Sequence, residues 1–431
     1  MQRRMARVAI RRGDHRSPGR AEGDAAAQAE RRAVRFWLLT ALFASIFLQR
    51  FGVPFGEFGI GANLFVTLLA LAAIGARGGL VLDPLRAALV LVFLACAWFS
   101  VALNAGSASA PSAALVMLVY APYALSLRDP DGVFEDCIAA FQAMVMVCAV
   151  AGIVQFIAQY AVDPALIFTF HGLLPEPILL KGWVNMQPMQ WGGSTYKANG
   201  FFLNEASTFS QYLALAIVIE VLFFRRLPWL ATFGTAILLS YSGTGLMLLV
   251  LLLPWVLLAR RSYKVLAGLF AFGVVAVALG DLWNMQALVG RAAEFGQTGT
   301  SATARYSAGG WLVSAYLMAW PPDLLFGLGP GSFLDTARLQ SFEAHDAAIW
   351  KLLFEYGLVG SIAFWLMFAV VLFDRVRARW VAAALMVGFL TFGGMMLDTR
   401  LQVLILLFCA LTKLPEARAA APGLVRAAGA R

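Results

Sequence analysis

Twelve apolar stretches follow one another along the chain, at 34–49, 58–75, 85–103, 110–127, 137–160, 200–224, 227–242, 244–259, 265–283, 354–373, 380–397 and 400–414. A helix needs roughly 20 apolar residues to cross the hydrocarbon core of a bilayer, because its backbone polar groups must be satisfied within the segment. The pattern therefore predicts an all-α polytopic membrane protein with about 12 transmembrane helices. The third and fourth stretches flank a small-residue turn from Asn104 to Pro111, and the seventh and eighth are short and joined through Tyr241-Ser242-Gly243. Only 13% of the residues are charged, about half the share in soluble domains.

The formal net charge of +9 invites a nucleic-acid reading, but its distribution removes it. Residues 1–35 carry +6, residues 413–431 carry +3, and the 19 basic and 19 acidic residues between them cancel. The excess thus belongs to two short tails and not to a basic groove, so no nucleic-acid partner is expected. The same charges orient the chain, since Lys and Arg accumulate on the cytoplasmic side. With the N-terminus inside, 25 Lys and Arg fall on that side and 8 on the other, which predicts that both termini are cytoplasmic. Residues 1–33 are expected to be a disordered basic tail, or to follow a start codon placed too early. Residues 34–414 form the membrane domain and 415–431 a second cytoplasmic tail. Arg3-Arg4 is no twin-arginine signal, because no small-residue cleavage site follows. Cys96, Cys137, Cys148 and Cys409 lie within or at the ends of apolar stretches without a CxxC pair, so neither disulfides nor thiolate metal sites are expected. No repeat of 20–50 residues is visible.

Polar chemistry concentrates in two long segments, 161–199 and 284–353, both assigned to the outer side. Loops of such length in a compact protein are usually functional. The first carries Trp183, Met186, Met189 and Trp191 among Gly and Pro, which suits the headgroup layer, and ends in Lys197-Ala198-Asn199-Gly200. The second is expected to form short re-entrant or interfacial helices between spans nine and ten. Arg305 to Trp320 reads as one of them, with Trp311, Ala315 and Tyr316 facing apolar surroundings and Pro321-Pro322 as its stop. The glycine cluster Phe326-Gly327-Leu328-Gly329-Pro330-Gly331 lacks a preceding strand, so it reads as a tight turn and not a dinucleotide site. Glu343-Ala344-His345-Asp346 follows at the mouth of span ten, and Lys351 with Glu355 has the i,i+4 spacing of an ion pair.

No catalytic triad is visible among the three histidines, His15, His171 and His345, and only His345 has charged neighbours. Glu343, His345 and Asp346 could supply metal ligands, but the paired acidic motif of metal-dependent glycosyl transferases is absent, so no metal or other cofactor is expected. A set of external cations stands out: Lys197, Arg291, Arg305 and Arg338, accompanied by His345. Such cations suit a lipid-diphosphate donor. The leaving diphosphate needs charge stabilisation and no strong acid, whereas the attacking hydroxyl needs a base, for which imidazole titrates in the right range. The bland readings remain open at this point. His345 could cap a helix, Arg305 could anchor at the interface, and Lys197 could be a snorkelling anchor for span six.

The order of these features resembles the O-antigen ligase and Wzy-type polymerase superfamily of bacterial envelope glycosyltransferases. The resemblance rests on Arg305-x5-Trp311 leading through Pro321 to Gly327-Leu328-Gly329, and on His345 followed by Trp350 to Gly360, similar to that family's "H…E-x-G-x-x-G" segment. It also rests on Asn199 to Ser207 and on the Ser-rich hairpin Leu239 to Gly245. Together these cover most of the membrane domain. The resemblance implies metal-independent, inverting transfer of glycan from a polyprenyl-diphosphate carrier to a glycan acceptor at the periplasmic face of the bacterial inner membrane, alongside other polysaccharide assembly proteins. By motif, Arg305 and Lys197 bind the diphosphate and His345 acts on the acceptor, with Asp346, Lys351, Glu355, Glu205 and Arg338 in support. Three positions depart from the family pattern. Lys197 stands where an Arg is usual and offers a point charge in place of a bidentate fork. Asp346 replaces an Asn, and Asn204-Glu205-Ala206 differs from the usual acidic-Pro-Ser or Asn-Pro-Asn triplet. The expected activity is polymerisation of exopolysaccharide or O-antigen repeat units. The alternatives are an O-antigen ligase (or protein O-glycan transferase) and, in another class, a glycolipid flippase.

Overall fold

The computed structural model describes residues 18–55, 58–189, 192–261, 263–278, 301–342, 344–391 and 396–414. Expectations for Arg291, Glu343 and the outermost tails fall outside these residues. Helix occupies part of each of the twelve apolar stretches. The first ten helices are α1 (Pro18–Phe47), α2 (Ala62–Gly75), α3 (Pro84–Leu103), α4 (Ala110–Tyr120), α5 (Val133–Ala158), the short α6 (Pro164–Phe168), α7 (Ala206–Ile219), α8 (Leu227–Leu239), α9 (Gly243–Arg260) and α10 (Tyr263–Ala278). The late loop contributes α11 (Ser301–Tyr306), α12 (Ala308–Tyr316), α13 (Pro321–Phe326) and α14 (Ser332–Arg338). Then come α15 (Ala348–Phe373), α16 (Arg379–Thr391) and α17 (Thr399–Ile405). Two antiparallel hairpins complete the fold: Gly52–Phe55 pairs with Phe58–Gly61, and Leu80–Leu82 with Leu125–Leu127.

Among the described residues, five helices are long and apolar enough to cross a membrane: α3, α5, α7 with its π-turn extension to Phe224, α9 and α15. The extended α7 is the hub, 83% buried against 33% for α9. Outward-facing Leu91, Val250, Leu258, Phe270 and Ile362 stay exposed, an apolar surface of the kind that faces hydrocarbon rather than water.

Three stretches differ from the pattern read off the sequence. Residues 18–33 are helical and not disordered, since their Ala, Glu, Gln and Arg are strong helix formers, and Arg31 pairs with Asp129 at 2.8 Å while Arg35 pairs with Asp136. Residues 58–61 are strand because the chain doubles back over Leu180, against which a Cβ at Gly52 or Gly59 would collide. Span six begins six residues late, at Ala206, because Gly200 and Phe201 both take positive φ and turn the chain first.

One set of charges gathers around Asp83. Asp83 receives Arg86, Arg375 and Lys413, and Arg377 reaches Asp131 at 3.3 Å. Arg50 and Lys197 belong to the opposite end. Helix α17 links the two ends, since Arg400 sits in its first turn and Lys413 follows its π-turn extension, Leu406–Ala410.

The decisive irregularity is in α15. Gly357 takes φ 62° and ψ −167° and breaks the helix in its first half. The carbonyls released by that break are claimed by the late loop: Leu328 N–H donates to Phe354 O (2.9 Å) and Gly329 N–H to Glu355 O (3.1 Å). Ser100 Oγ of α3 adds a bond to Glu355 O at 2.8 Å. Contact is backbone to backbone, because a Cβ at Gly327 would strike Glu355 and one at Gly357 would strike Leu325. The glycine cluster is thus a turn, entered from helix α13 and not from a strand, with Gly327, Gly329 and Gly331 all at positive φ. We expect Gly357→Ala to destabilise the protein by on the order of 3 kcal/mol, through φ strain and this collision. Gly106→Ala, which meets nothing within 4 Å, should leave thermal unfolding in detergent unchanged.

Candidate functional site

The late loop has a small core of its own, made by Leu312, Val313, Leu317, Phe333, Ala337 and Phe354. Arg305 to Trp320 is not one helix. It breaks at Ser307 between α11 and α12, and Pro321 starts α13 instead of only ending its predecessor. The apolar face differs too. Trp311 and Tyr316 are exposed at 44% and 40%. Both rings still pack on aromatic neighbours, Trp311 on Phe342 at 5.3 Å and Tyr316 on Phe354 at 6.2 Å, while Leu312 and Val313 are the fully buried positions, in the small core with Phe333 and Phe354.

Arg305 occupies the last turn of α11 and is half-buried. Its helix is pinned on three sides. Tyr306 Oη donates to Thr391 O at 2.8 Å on α16 and lies 3.7 Å from Met247 Sδ on α9, while Trp350 Nε1 donates to Tyr306 O at 3.0 Å. Gly309 lets α12 approach that indole, since a Cβ there would meet Trp350. Burial pushes the Tyr306 phenol up, an effect that the neighbouring Arg305 charge opposes.

His345 joins the same place. Its backbone N–H donates to Ala304 O at 2.9 Å, which sets His345 against the residue preceding Arg305. The chain then turns, Ala347 N–H bonding His345 O at 2.9 Å, and enters α15. The histidine and arginine singled out from sequence, 40 residues apart, are therefore neighbours.

Asp346, Lys351 and Glu355 form the next layer inward. Lys351 Nζ lies 3.0 Å from Glu355 Oε1 and 3.5 Å from Asp346 Oδ2, with Lys351 and Glu355 each 1% exposed. The i,i+4 pair expected from spacing is present, and Asp346 extends it toward His345. A buried ion pair stabilises little by itself, but losing one partner leaves an uncompensated charge.

Lys197 and Glu205 arrive on the other long segment. Lys197 is buried, with its N–H bonded to Gln187 O (2.9 Å) and that of Ala198 to Leu239 O (3.0 Å). Glu205 accepts from Ser207 Oγ and from Gln187 Nε2 at 3.4 Å. This segment meets the α8–α9 connector, where Ser242 Oγ and Thr244 Oγ1 are 2.8 Å apart and Thr244 reaches Ser207 O at 3.4 Å. The Arg305 helix meets α9 one turn later, at Met247. The Lys197 segment and the Arg305 helix therefore both contact the beginning of α9. Arg338 is exposed at the end of α14, 3.7 Å from Asp335.

Two buried cations escaped the sequence reading as site residues. Arg400 pairs with Asp398, donates to Thr208 Oγ1 at 3.2 Å and lies 4.3 Å from the Trp183 ring. With Asp398 it lines a narrow cavity of about 20 Å³ whose walls include Tyr212, Leu248, Leu385 and Leu404. A Asp-x-Arg pair inside an apolar stretch was the available signal. Arg50, at the end of the first span, is the other. Its N–H groups donate to Leu203 O at 3.0 Å and Phe168 O at 2.9 Å. Neither Lys197, Arg305 nor His345 lines the cavity below Arg400. Among the described residues, no group of three or more His, Cys, Asp or Glu converges as a metal site.

No known family model and no curated protein matches the chain. The Lys351 layer provides a direct test of the site's construction. Lys351→Met should lower stability by about 3–5 kcal/mol, and adding Glu355→Gln should restore more than half of that loss. Denaturation of the two variants in the same detergent reads the difference.

Proposed function

We propose that the protein is a polytopic glycosyltransferase of the bacterial inner membrane, with about twelve spans, both termini cytoplasmic and its late loop on the periplasmic side. In this reading it joins glycan repeat units carried on a polyprenyl diphosphate, building exopolysaccharide or O-antigen. The observation that supports the proposal is the backbone bond from His345 N–H to Ala304 O, which joins the histidine's turn to the helix that carries Arg305.

The chemistry follows from those two groups. An acceptor hydroxyl attacks the anomeric carbon of the donor sugar from the face opposite the diphosphate. A new glycosidic bond forms as the bond between that carbon and the diphosphate oxygen breaks, so the configuration inverts. His345 takes the hydroxyl proton, and the carrier diphosphate leaves with its charge stabilised by Arg305. Lys197 approaches from the opposite loop as the second cation. Lys351, held between Asp346 and Glu355, sets the position of the turn that carries His345. No metal or organic cofactor has a part in these steps.

A transporter reading draws on other observations, the break at Gly357 and the buried Lys351–Glu355 pair, since broken helices and intramembrane charges also serve translocation. Bond formation separates the two. With purified protein and a carrier-linked repeat unit, His345→Ala should reduce glycan transfer by about 10²–10⁴-fold, and Arg305→Ala by about 10²–10³-fold. Full transfer by His345→Ala would overturn the assignment, whereas wild-type movement of the glycolipid across vesicles without new glycosidic bonds would favour the transporter. In cells, a deletion strain should accumulate single carrier-linked repeats. Long carrier-linked chains would instead mark a ligase.

A further inference from the structure

Among the described residues, three of the five non-glycine positions with positive φ are arginines, and each lies within two residues of a helix end. They are Arg225 (φ 60°) after the π-turn of α7, Arg261 (φ 47°) after α9 and Arg375 (φ 52°) after α15. Left-handed backbone at a helix end favours glycine or asparagine, and a larger side chain is disfavoured there. Arg375 shows what offsets that cost, since its guanidinium reaches Asp374 at 3.1 Å and Asp83 at 3.3 Å. The helix dipole attracts a cation equally at all three ends, but the counter-charge differs. Among the described residues no carboxylate lies within ion-pair reach of Arg225 or Arg261, and both are exposed.

The shortage of counter-charge extends along the whole segment. Between Glu205 and Asp281 the chain holds five basic residues, Arg225, Arg226, Arg260, Arg261 and Lys264, and a single acid, Glu220. Glu220 is buried and already taken: Arg226 donates to its two carboxylate oxygens at 2.9 and 2.8 Å, and its guanidinium stacks on the Phe224 and Trp229 rings. The α7–α8 and α9–α10 turns share one corner of the bundle. The π-turn packs on α9, and α10 packs on α8, where a Cβ at Gly268 would touch Leu227. This corner belongs to the same end as Asp83, because Phe223 packs on Phe134 at 6.0 Å, beside Glu135 and Asp136. Those two acids pair with Arg377 and Arg35.

The apolar surroundings decide the class of anion. On or beside the same turns, Phe223, Leu227, Trp255, Leu258 and Tyr263 are 42–72% exposed. A soluble anion would meet the cations and leave these side chains bare. A phospholipid covers both, its phosphate accepting from guanidinium groups and its acyl chains lying along Leu227 and Leu258, with Trp255 and Tyr263 at headgroup depth. A zwitterionic headgroup would add an ammonium to a place already in cationic excess, so the headgroup that fits carries net negative charge. We infer that the corner formed by the α7–α8 and α9–α10 turns binds the phosphate of an anionic phospholipid through Arg225 and Arg261. The inference lies beyond the transferase reading and needs only that this end of the bundle meets the headgroup layer.

The test is lipid binding without turnover. Full-length protein in detergent is titrated with dioleoyl phosphatidylglycerol, dioleoyl phosphatidylcholine or inorganic phosphate, and native mass spectrometry reads the bound fraction. Phosphatidylglycerol should bind at least about tenfold more tightly than phosphatidylcholine or phosphate. Glycine suits a left-handed backbone, so Arg225→Gly combined with Arg261→Gly removes both charges and leaves the turns in place. This double variant should lose at least about tenfold in affinity for phosphatidylglycerol. Arg77→Gln removes an exposed cation outside the corner, one that bonds Ala73 O at 2.9 Å, and should bind as the wild type does. The inference is overturned by equal binding of the two lipids, by wild-type affinity in the double glycine variant, by an equal loss in Arg77→Gln, or by phosphate binding as tightly as the anionic lipid. His345→Ala should bind phosphatidylglycerol normally, so failure of the transferase proposal and failure of this site are read separately.

Discussion

A helix broken inside an apolar bundle leaves carbonyls that water cannot reach, and each must find a donor within the protein. At Gly357 of α15 those donors come from Leu328, Gly329 and Ser100. The late loop is therefore fastened to the bundle by an obligation of the backbone and not by side-chain complementarity alone. Much of the outer architecture follows from that fastening. The glycines at 327, 329 and 331 adopt positive φ to bring the loop close enough, the Phe333 and Phe354 rings pack edge to face at 5.5 Å, and the first half of α15 emerges at the position where His345 meets the Arg305 helix.

The buried charges are arranged by the same scarcity of water. Three deeply placed cations show how buried charges fasten the fold. Arg86 bonds Ala410 O at 2.9 Å and Leu125 O at 3.0 Å, Arg400 joins α17 to α7 and to Trp183, and Lys351 joins its own helix to the turn before it. Each has a carboxylate nearby: Asp83, Asp398, or Glu355 with Asp346. Arg50 differs from these three, its Nε and Nη1 donating to the backbone carbonyls of Leu203 and Phe168.

Much of the helical framework was legible in the residues, because a run of apolar side chains near bilayer length leaves the backbone little choice but helix. The turn at the glycine cluster and the i,i+4 pairing of Lys351 with Glu355 were legible for similarly local reasons. Misreadings arose where a distant segment decided the outcome. Trp311 and Tyr316 do pack on aromatic rings, Phe342 and Phe354, but the spacing gave no sign that Leu312 and Val313 would be the fully buried positions of that helix. Residues 58–61 are apolar enough to extend a span, but Leu180, more than 100 positions away, draws them into a hairpin. Arg50 and Arg400 looked like boundary charges marking one side of a bilayer, and only packing showed them to be buried.

The amino-acid sequence by itself determined that this chain forms apolar helices, where those helices lie, and that its charge excess belongs to the two tails. These are local properties, set by hydropathy over one segment and by backbone hydrogen bonds closed within it. Tertiary structure alone decided that the turn of His345 bonds to the helix carrying Arg305, that the Lys197 segment and that helix both reach the beginning of α9, and that Arg50 and Arg400 are buried. Such facts depend on which carbonyls remain unclaimed after the helices pack, and a sequence carries no separate mark for a carbonyl that has lost its partner.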